Sequence, residues 1–148
     1  MIHASNLVKR YPNGYEALRH VSFEIAPGEM VFLTGHSGAG KTTLVKLIGS
    51  IERPTSGSLV VNGQNLAALR RGALPVLRRS FGLIFQDQKL LFDRTALDNV
   101  LLLLQIVGLP YREAYRRARA ALDKVGLLSR KKSFPIALSG GEQQKLAI

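Results

Sequence analysis

The residues best suited to chemistry form one run, Gly35-His36-Ser37-Gly38-Ala39-Gly40-Lys41-Thr42. The spacing is G-x-x-x-x-G-K-[ST], the P-loop. An apolar run, Met30-Val31-Phe32-Leu33-Thr34, precedes it, and a helix-like run from Thr43 to Ile48 follows, which is the strand–loop–helix setting the motif requires. The chemistry is the holding of polyphosphate. Glycines at 35, 38 and 40 permit backbone conformations and close approaches that a side chain would block. Consecutive amides of such a loop point into one concavity, and the positive end of the following helix adds attraction for anions. Lys41 brings a mobile positive charge to the outer phosphates, and the Thr42 hydroxyl can ligate Mg²⁺. The candidate nucleotide-binding run is therefore Gly35, His36, Ser37, Gly38, Ala39, Gly40, Lys41, Thr42 and Thr43. A Gly-rich turn with no ligand is the plainer alternative, and the flanking elements argue against it. His36 could be read as a catalytic or metal histidine, but a variable position in a loop that binds through its backbone suits it better.

The elements that must position this loop come from a chain of 148 residues, the size of one domain with a sizeable core. Hydrophobic residues make up 46%, which places it among globular rather than disordered chains. With no cysteine, disulfides and thiolate chemistry are excluded. The start, Met1-Ile2-His3-Ala4, carries no signal-peptide pattern, and the apolar run from Val100 to Leu109 contains Gln105 and is too short to span a bilayer, so an intracellular location is expected. The net charge of +11 suits nucleic acid, an anionic membrane face or an acidic partner. The charge is grouped: Arg70, Arg71, Arg78 and Arg79 in one set, and Arg112, Arg116, Arg117, Arg119, Lys124, Arg130, Lys131 and Lys132 in another. Two solvated helix faces would explain it equally well. No nucleic-acid motif accompanies it, so nucleic acid is not the expected partner.

In chain order, Ile2 to Tyr11 and Glu16 to Ile25 read as strands of an antiparallel hairpin around Pro12-Asn13-Gly14. Met30 to Thr34 lacks alternation and reads as a strand buried on both faces of a parallel sheet. The P-loop helix is expected to run to about Ser50. Ser58 to Val61 is a short strand closed by Asn62-Gly63, a strong hairpin signal. A helical turn is expected over Leu74 to Arg79, and Ser80 to Phe85 reads as another buried strand leading into Gln86. Beyond it the chain turns helical. Thr95 to Val107 has no Gly or Pro, and Tyr111 to Val125 places Ala114, Tyr115, Ala118, Ala121, Leu122 and Val125 at helical spacing opposite arginines. Gly126 follows as a C-cap, then a basic linker through Lys131 to Pro135. The domain plan is a β portion and P-loop core over 1–86, a helical subdomain over 87–137, and a last motif with the start of its helix over 138–148.

That motif, Leu138-Ser139-Gly140-Gly141-Glu142-Gln143, places a serine and two glycines at a helix N-terminus, where amides and the dipole suit a second anion contact. Alone it reads as a plain N-cap. Together with the P-loop it resembles the signature of the ATP-binding-cassette (ABC) ATPases. Gln86, after Phe81-Gly82-Leu83-Ile84-Phe85, is similar to the family's glutamine loop, and Tyr11, in Lys9-Arg10-Tyr11-Pro12, is similar to its adenine-stacking aromatic. The resemblance runs from Met1 to Ile148. Within the family it is narrowest to the bacterial cell-division branch, on Phe32 to Lys41, Phe85-Gln86-Asp87, Asp93-Arg94-Thr95, Asp98-Asn99-Val100 and Ala121 to Leu128.

The resemblance implies an α/β P-loop NTPase fold: a parallel sheet core, an N-terminal antiparallel β portion and an α-helical subdomain. It implies ATP and Mg²⁺ as ligands, Lys41 and Gln86 as catalytic residues, and Thr42 and Gln86 at the metal. It implies a head-to-tail homodimer in which Ser139, Gly140, Gly141 and Glu142 meet nucleotide held by the other subunit's P-loop. It also implies an FtsX-like integral membrane subunit, contacted through residues near Gln86 to Val100, which would hold the protein at the cytoplasmic face of the bacterial plasma membrane. The family's Asp-Glu pair and switch histidine, which follow the signature helix, have no counterpart among the residues up to Ile148. On that ground the chain is expected to be incomplete at its C-terminus, to expose an apolar sheet edge and to be deficient in hydrolysis by itself. Service to another exporter's membrane subunit, and a nucleotide-binding module without catalysis, remain as alternatives.

Overall fold

The computed structural model describes residues 1–84 and 87–148. The chain forms two compact units, Met1–Phe81 and Gly82–Ile148.

The first unit is built on local hairpins. β1 (Ile2–Arg10) and β2 (Glu16–Ile25) pair antiparallel from Ile2 opposite Ile25 to Arg10 opposite Glu16, with register shifts between. Tyr11 N–H donates to the Tyr15 carbonyl (2.8 Å), and Gly14 N–H to the Tyr11 carbonyl (2.9 Å), closing the Pro12-Asn13-Gly14 loop. β3 (Ser56–Val61) lies antiparallel on the other side of β1, and β4 (Gln64–Asn65) completes the order β2-β1-β3-β4. Asn62 (φ 48°) and Gly63 (φ 78°) make the expected two-residue turn between β3 and β4, because positive φ at both positions matches the strand twist. α1 (Lys41–Ile48) buries Leu44 and Leu47 in a core with Ala4, Leu7, Leu18, Leu59, Val61, Leu66 and Leu77, the last from α2 (Leu74–Arg78).

Two expected strands do not form. Met30 to Thr34 carries no regular secondary structure, and neither does the described part of Ser80 to Phe85, of which Phe85 lies outside the described residues. A parallel strand takes its hydrogen bonds from neighbours remote in sequence, and among the described residues neither segment has a ladder partner. Met30 and Phe32 are accordingly 81% and 79% exposed rather than buried on both faces.

The second unit is helical: α3 (Ala96–Ile106), α4 (Tyr111–Lys124) and α5 (Gly140–Ala147). Thr95 caps α3 by accepting from Asp98 N–H (3.2 Å), one of the amides the helix leaves without an internal partner. Asn99 fixes the preceding loop, accepting from Leu91 N–H (2.8 Å) and donating to the Leu91 (3.0 Å), Arg94 (3.3 Å) and Thr95 (3.0 Å) carbonyls. α4 presents a buried stripe of Ala114, Ala118 and Leu122 at the expected spacing; Tyr115 and Val125 of the expected face are half-buried, and Ala121 is exposed because it lies at the stripe's edge. Gly126 (φ 74°) ends α4: its N–H reaches the Asp123 carbonyl (2.9 Å), and Leu127 N–H reaches that of Leu122 (2.7 Å). Leu122, Leu127, Leu138, Leu146 and Ala96 share one core, so the chain around the 138–143 motif is tied to α3 and α4.

Leu122 is 1% exposed at the centre of that core. Leu122→Ala is expected to cost about 2–5 kcal/mol of stability. Chemical denaturation followed by circular dichroism checks this.

Candidate nucleotide-binding site

The loop is aimed by Gly40. This residue caps α1 at φ 83° and ψ 4°, a left-handed conformation that glycine adopts freely. A Cβ at Gly40 would lie 2.4 Å from the Ala17 carbonyl oxygen and 2.9 Å from Leu18 Cδ2. The turn into α1 is thus pressed against β2 at a spacing only glycine permits. α1 carries no side-chain cap, so its first amides stay available to an anion. No acidic residue sits in its first turn.

A cavity of about 250 Å³ opens there, lined by Tyr15, Ser37, Gly38, Ala39, Gly40, Lys41, Thr42 and Thr43. Most of the run predicted from the sequence therefore meets in one place. Gly35 and His36 do not line the cavity but hold its lysine: the Lys41 ammonium donates to the Gly35 and His36 carbonyls, each at 2.7 Å. The two carbonyls compensate the charge in the way phosphate oxygens could, with weaker partners. The His36 ring lies with Nδ1 2.7 Å from the Ser37 carbonyl, a local contact within the loop. Among the described residues, no cluster of three or more His, Cys, Asp or Glu side chains could hold a metal ion. The Thr42 hydroxyl is the protein oxygen in the cavity at the position the motif assigns to Mg²⁺. Gln86, assigned to the metal and to catalysis, lies outside the described residues.

Tyr11 is placed differently from Tyr15. Its hydroxyl donates to Glu52 Oε1 (3.2 Å) and lies 3.1 Å from Thr43 Oγ1, and its ring is not part of the cavity wall. The Lys9 ammonium stands 5.1 Å from the Tyr11 ring centre. Lys9 also lies 3.2 Å from Glu52 Oε2, and Lys46 lies 3.6 Å from Oε1. Burial works to raise the Glu52 pKa. The bond from Tyr11 and the charges of Lys9 and Lys46 outweigh it and hold the carboxyl below its ordinary value. Glu52 is therefore an ionised anchor beside α1, tied to Lys46 in its last turn and, through Tyr11, to Thr43 in its first. The Tyr15 phenol donates to the Gly38 carbonyl (2.9 Å), and its ring runs near-parallel to that of Tyr11, with centres 6.4 Å apart and planes 13° apart. Sequence reasoning missed Tyr15. The available signal was its place across the Pro12-Asn13-Gly14 turn from Tyr11, where a closed hairpin sets two rings side by side.

In the second unit, the motif at Leu138–Gln143 forms a capping box. Ser139 Oγ accepts from Glu142 N–H (3.3 Å), and Glu142 Oε2 accepts from Ser139 N–H (2.8 Å). That backbone bond is the main reason the exposed Glu142 carboxyl titrates below its usual value. Gln143 donates to the Pro135 (2.9 Å) and Leu138 (3.2 Å) carbonyls, and Arg130 to that of Ala137 (2.6 Å). Gly140 and Gly141 face open space, with nothing within 4 Å of an added Cβ. The motif is a rigidly tied helix start with an unobstructed surface.

Comparison with known proteins agrees with this geometry. The ABC transporter family matches residues 18–148. The cell division ATP-binding protein FtsE of Escherichia coli K12 is 53% identical over 148 residues, all of this chain and 67% of that protein. FtsE of Bacillus subtilis is 41% identical over the same length, which is 65% of its own. Among solved structures, the dimeric bacterial ABC transporter cassette MJ0796 superposes with a TM-score of 0.93 at 34% identity, covering 100% of this chain and 67% of that one. A dimeric post-hydrolysis state of the same cassette, bound to ADP and Pi, gives 0.91 at 33%, covering 99% and 67%. With a P-loop seated on a glycine turn, a capped Leu-Ser-Gly-Gly-Glu helix and these likenesses, the chain belongs to the ABC transporter family.

Proposed function

We propose that the chain is the ATP-binding part of an FtsE-like subunit. It binds Mg·ATP and, in full-length form, hydrolyses it to drive an FtsX-like integral membrane subunit in bacterial cell division. The observation that supports this best is the loop at Gly35–Thr42, held open at the uncapped start of α1, in a chain 53% identical along its whole length to an FtsE. No helix among the described residues is long and apolar enough to cross a membrane, so a place at the cytoplasmic face of the plasma membrane would come through the membrane subunit.

The steps assigned to this chain's residues follow from charge. An incoming triphosphate takes the amides of Ser37 to Thr42, and the Lys41 ammonium leaves the Gly35 and His36 carbonyls for phosphate oxygens, a stronger charge-assisted bond. Mg²⁺, when bound, neutralises phosphate charge and would be held by Thr42 and by Gln86. Tyr11 offers its ring to the adenine, with its hydroxyl fixed by Thr43 and Glu52 so that the plane cannot swing. Ser139, Gly140, Gly141 and Glu142 form a second phosphate surface, directed at nucleotide on a second copy in a head-to-tail homodimer.

Three outcomes are expected. Lys41→Ala lowers Mg·ATP affinity by about tenfold or more, because charged hydrogen bonds are the strong ones. Isothermal calorimetry reads this, and no Mg·ATP uptake by folded wild-type protein would end the proposal. Tyr11→Ala costs about 1–3 kcal/mol of nucleotide affinity through lost stacking, while Tyr11→Phe keeps most of it. Ser139→Arg in the full-length protein abolishes the ATP-dependent dimer seen by light scattering and leaves ATP affinity of the monomer within about threefold. An unchanged dimer would remove the signature from the interface.

A further inference from the structure

The polar face of α4 forms a feature that nucleotide binding does not use. Arg112, Tyr115, Arg116, Arg119, Ala120, Asp123 and Leu128 line an open cavity of about 410 Å³. Three guanidinium groups and one carboxylate face it. Glu113, on the same helix, bonds Arg116 (2.8 and 3.0 Å) and Arg117 (2.7 Å), and these bonds, Arg116 first, pull its carboxyl down to about 2. Glu113 is thus spent on its own helix. Among the described residues Arg112 and Arg119 form no ion pair. Arg119 instead lies over the Tyr115 ring, 6.0 Å from its centre.

We infer that this face of α4 is a docking surface for the phosphate headgroups of an anionic phospholipid bilayer. Charge complementarity supports the phosphate: planar guanidinium forks suit its oxygens, and Arg112 and Arg119, two helical turns apart on one side, carry forks without an ion pair, while Arg116 between them shares its fork with Glu113. The form of the cavity supports a bilayer over a free phosphate. Arg116 is 76% exposed at its side chain, so the rim is open rather than enclosing. Ala120, Leu128 and the Tyr115 ring give part of the lining an apolar character. Beside it Tyr111 stands 63% exposed, its ring 6.1 Å from that of Tyr115. Tyrosines with one apolar side and one wet end settle at the boundary between headgroups and acyl chains. Basic residues near an anionic leaflet attract it independently of any protein partner.

The experiment is flotation of the chain with vesicles of phosphatidylcholine alone or with about one third phosphatidylglycerol. Wild type is expected to float only with the anionic vesicles and to be released by raised salt. The triple variant Arg112→Gln, Arg116→Gln, Arg119→Gln is expected to lose about tenfold or more in apparent affinity. A charge-matched control, Arg70→Gln, Arg79→Gln, Arg94→Gln, removes the same charge from exposed positions elsewhere and is expected to change it by less than about threefold. Equal losses in both variants would reduce the effect to net charge and overturn the inference. So would binding of glycerol 3-phosphate, or of a DNA duplex, that depends on the three arginines while vesicles are ignored. Unchanged Mg·ATP uptake and unfolding midpoint in the triple variant separate this surface from the nucleotide site and from misfolding.

Discussion

The nucleotide site rests on one steric constraint, the close approach of the Gly40 backbone to β2. A carbonyl oxygen 2.4 Å from where a Cβ would stand leaves the turn one residue type. That contact does more than tolerate glycine. It fixes where α1 begins relative to the β1–β2 hairpin, and so fixes the direction of the first amides. Leu44 and Leu47 bury on the sheet side, which locks the helix axis. The direction of those amides is then a property of backbone placement, and side chains add to it: a charge at Lys41, a hydroxyl at Thr42 and, from Tyr15, a bond to the Gly38 carbonyl.

The site pays for its preorganisation in unmet electrostatics. A helix start with neither a side-chain cap nor an acidic residue in its first turn leaves partial positive charge exposed. Lys41 adds a full charge beside it and satisfies itself on loop carbonyls. The second helix start, at α5, resolves the same problem the opposite way: Ser139 and Glu142 close a capping box, and the anion is built in. The two motifs are thus physically unlike. One is a helix start whose first amides are left open. The other is a finished cap whose free surface is Gly140 and Gly141.

What the sequence made legible divides along the range of the interactions involved. The Asn62-Gly63 turn, the Ser139 cap, the Gly126 stop and the Ala114–Ala118–Leu122 stripe are set by neighbours within a few residues, and each stands where its pattern placed it. The hairpin of β1 and β2 is equally local. Met30 to Thr34 is the instructive failure. Its unbroken hydrophobicity states what environment the segment needs, burial on both faces, but not which strands supply it. Among the described residues nothing does, and Phe32 stands exposed. Tyr15 is only half legible, for a different reason: the turn sets its ring beside that of Tyr11 but does not say what its hydroxyl meets. Its role comes from a hydroxyl reaching the Gly38 carbonyl, and that contact depends on how the hairpin tip leans on the loop, which no periodicity encodes.

The Glu52 network shows how the early part of the chain and the P-loop become one cooperative object. Lys9 belongs to β1, Tyr11 to the hairpin tip, Thr43 and Lys46 to α1, and all four meet at or beside one ionised carboxylate. Burial alone would favour neutral Glu52, and the bonds from Tyr11 and Lys9 overrule it. The contribution of the network is therefore present above the ordinary glutamate pKa and is lost as pH falls through the lowered value. Removing a proton acceptor at 52 would free the Tyr11 ring and loosen Thr43, the residue two places from Lys41 on the same helical turn. The Tyr11 ring and the loop at the start of α1 are in this way tied to one half-buried charge, with no direct contact between the Tyr11 ring and the cavity required.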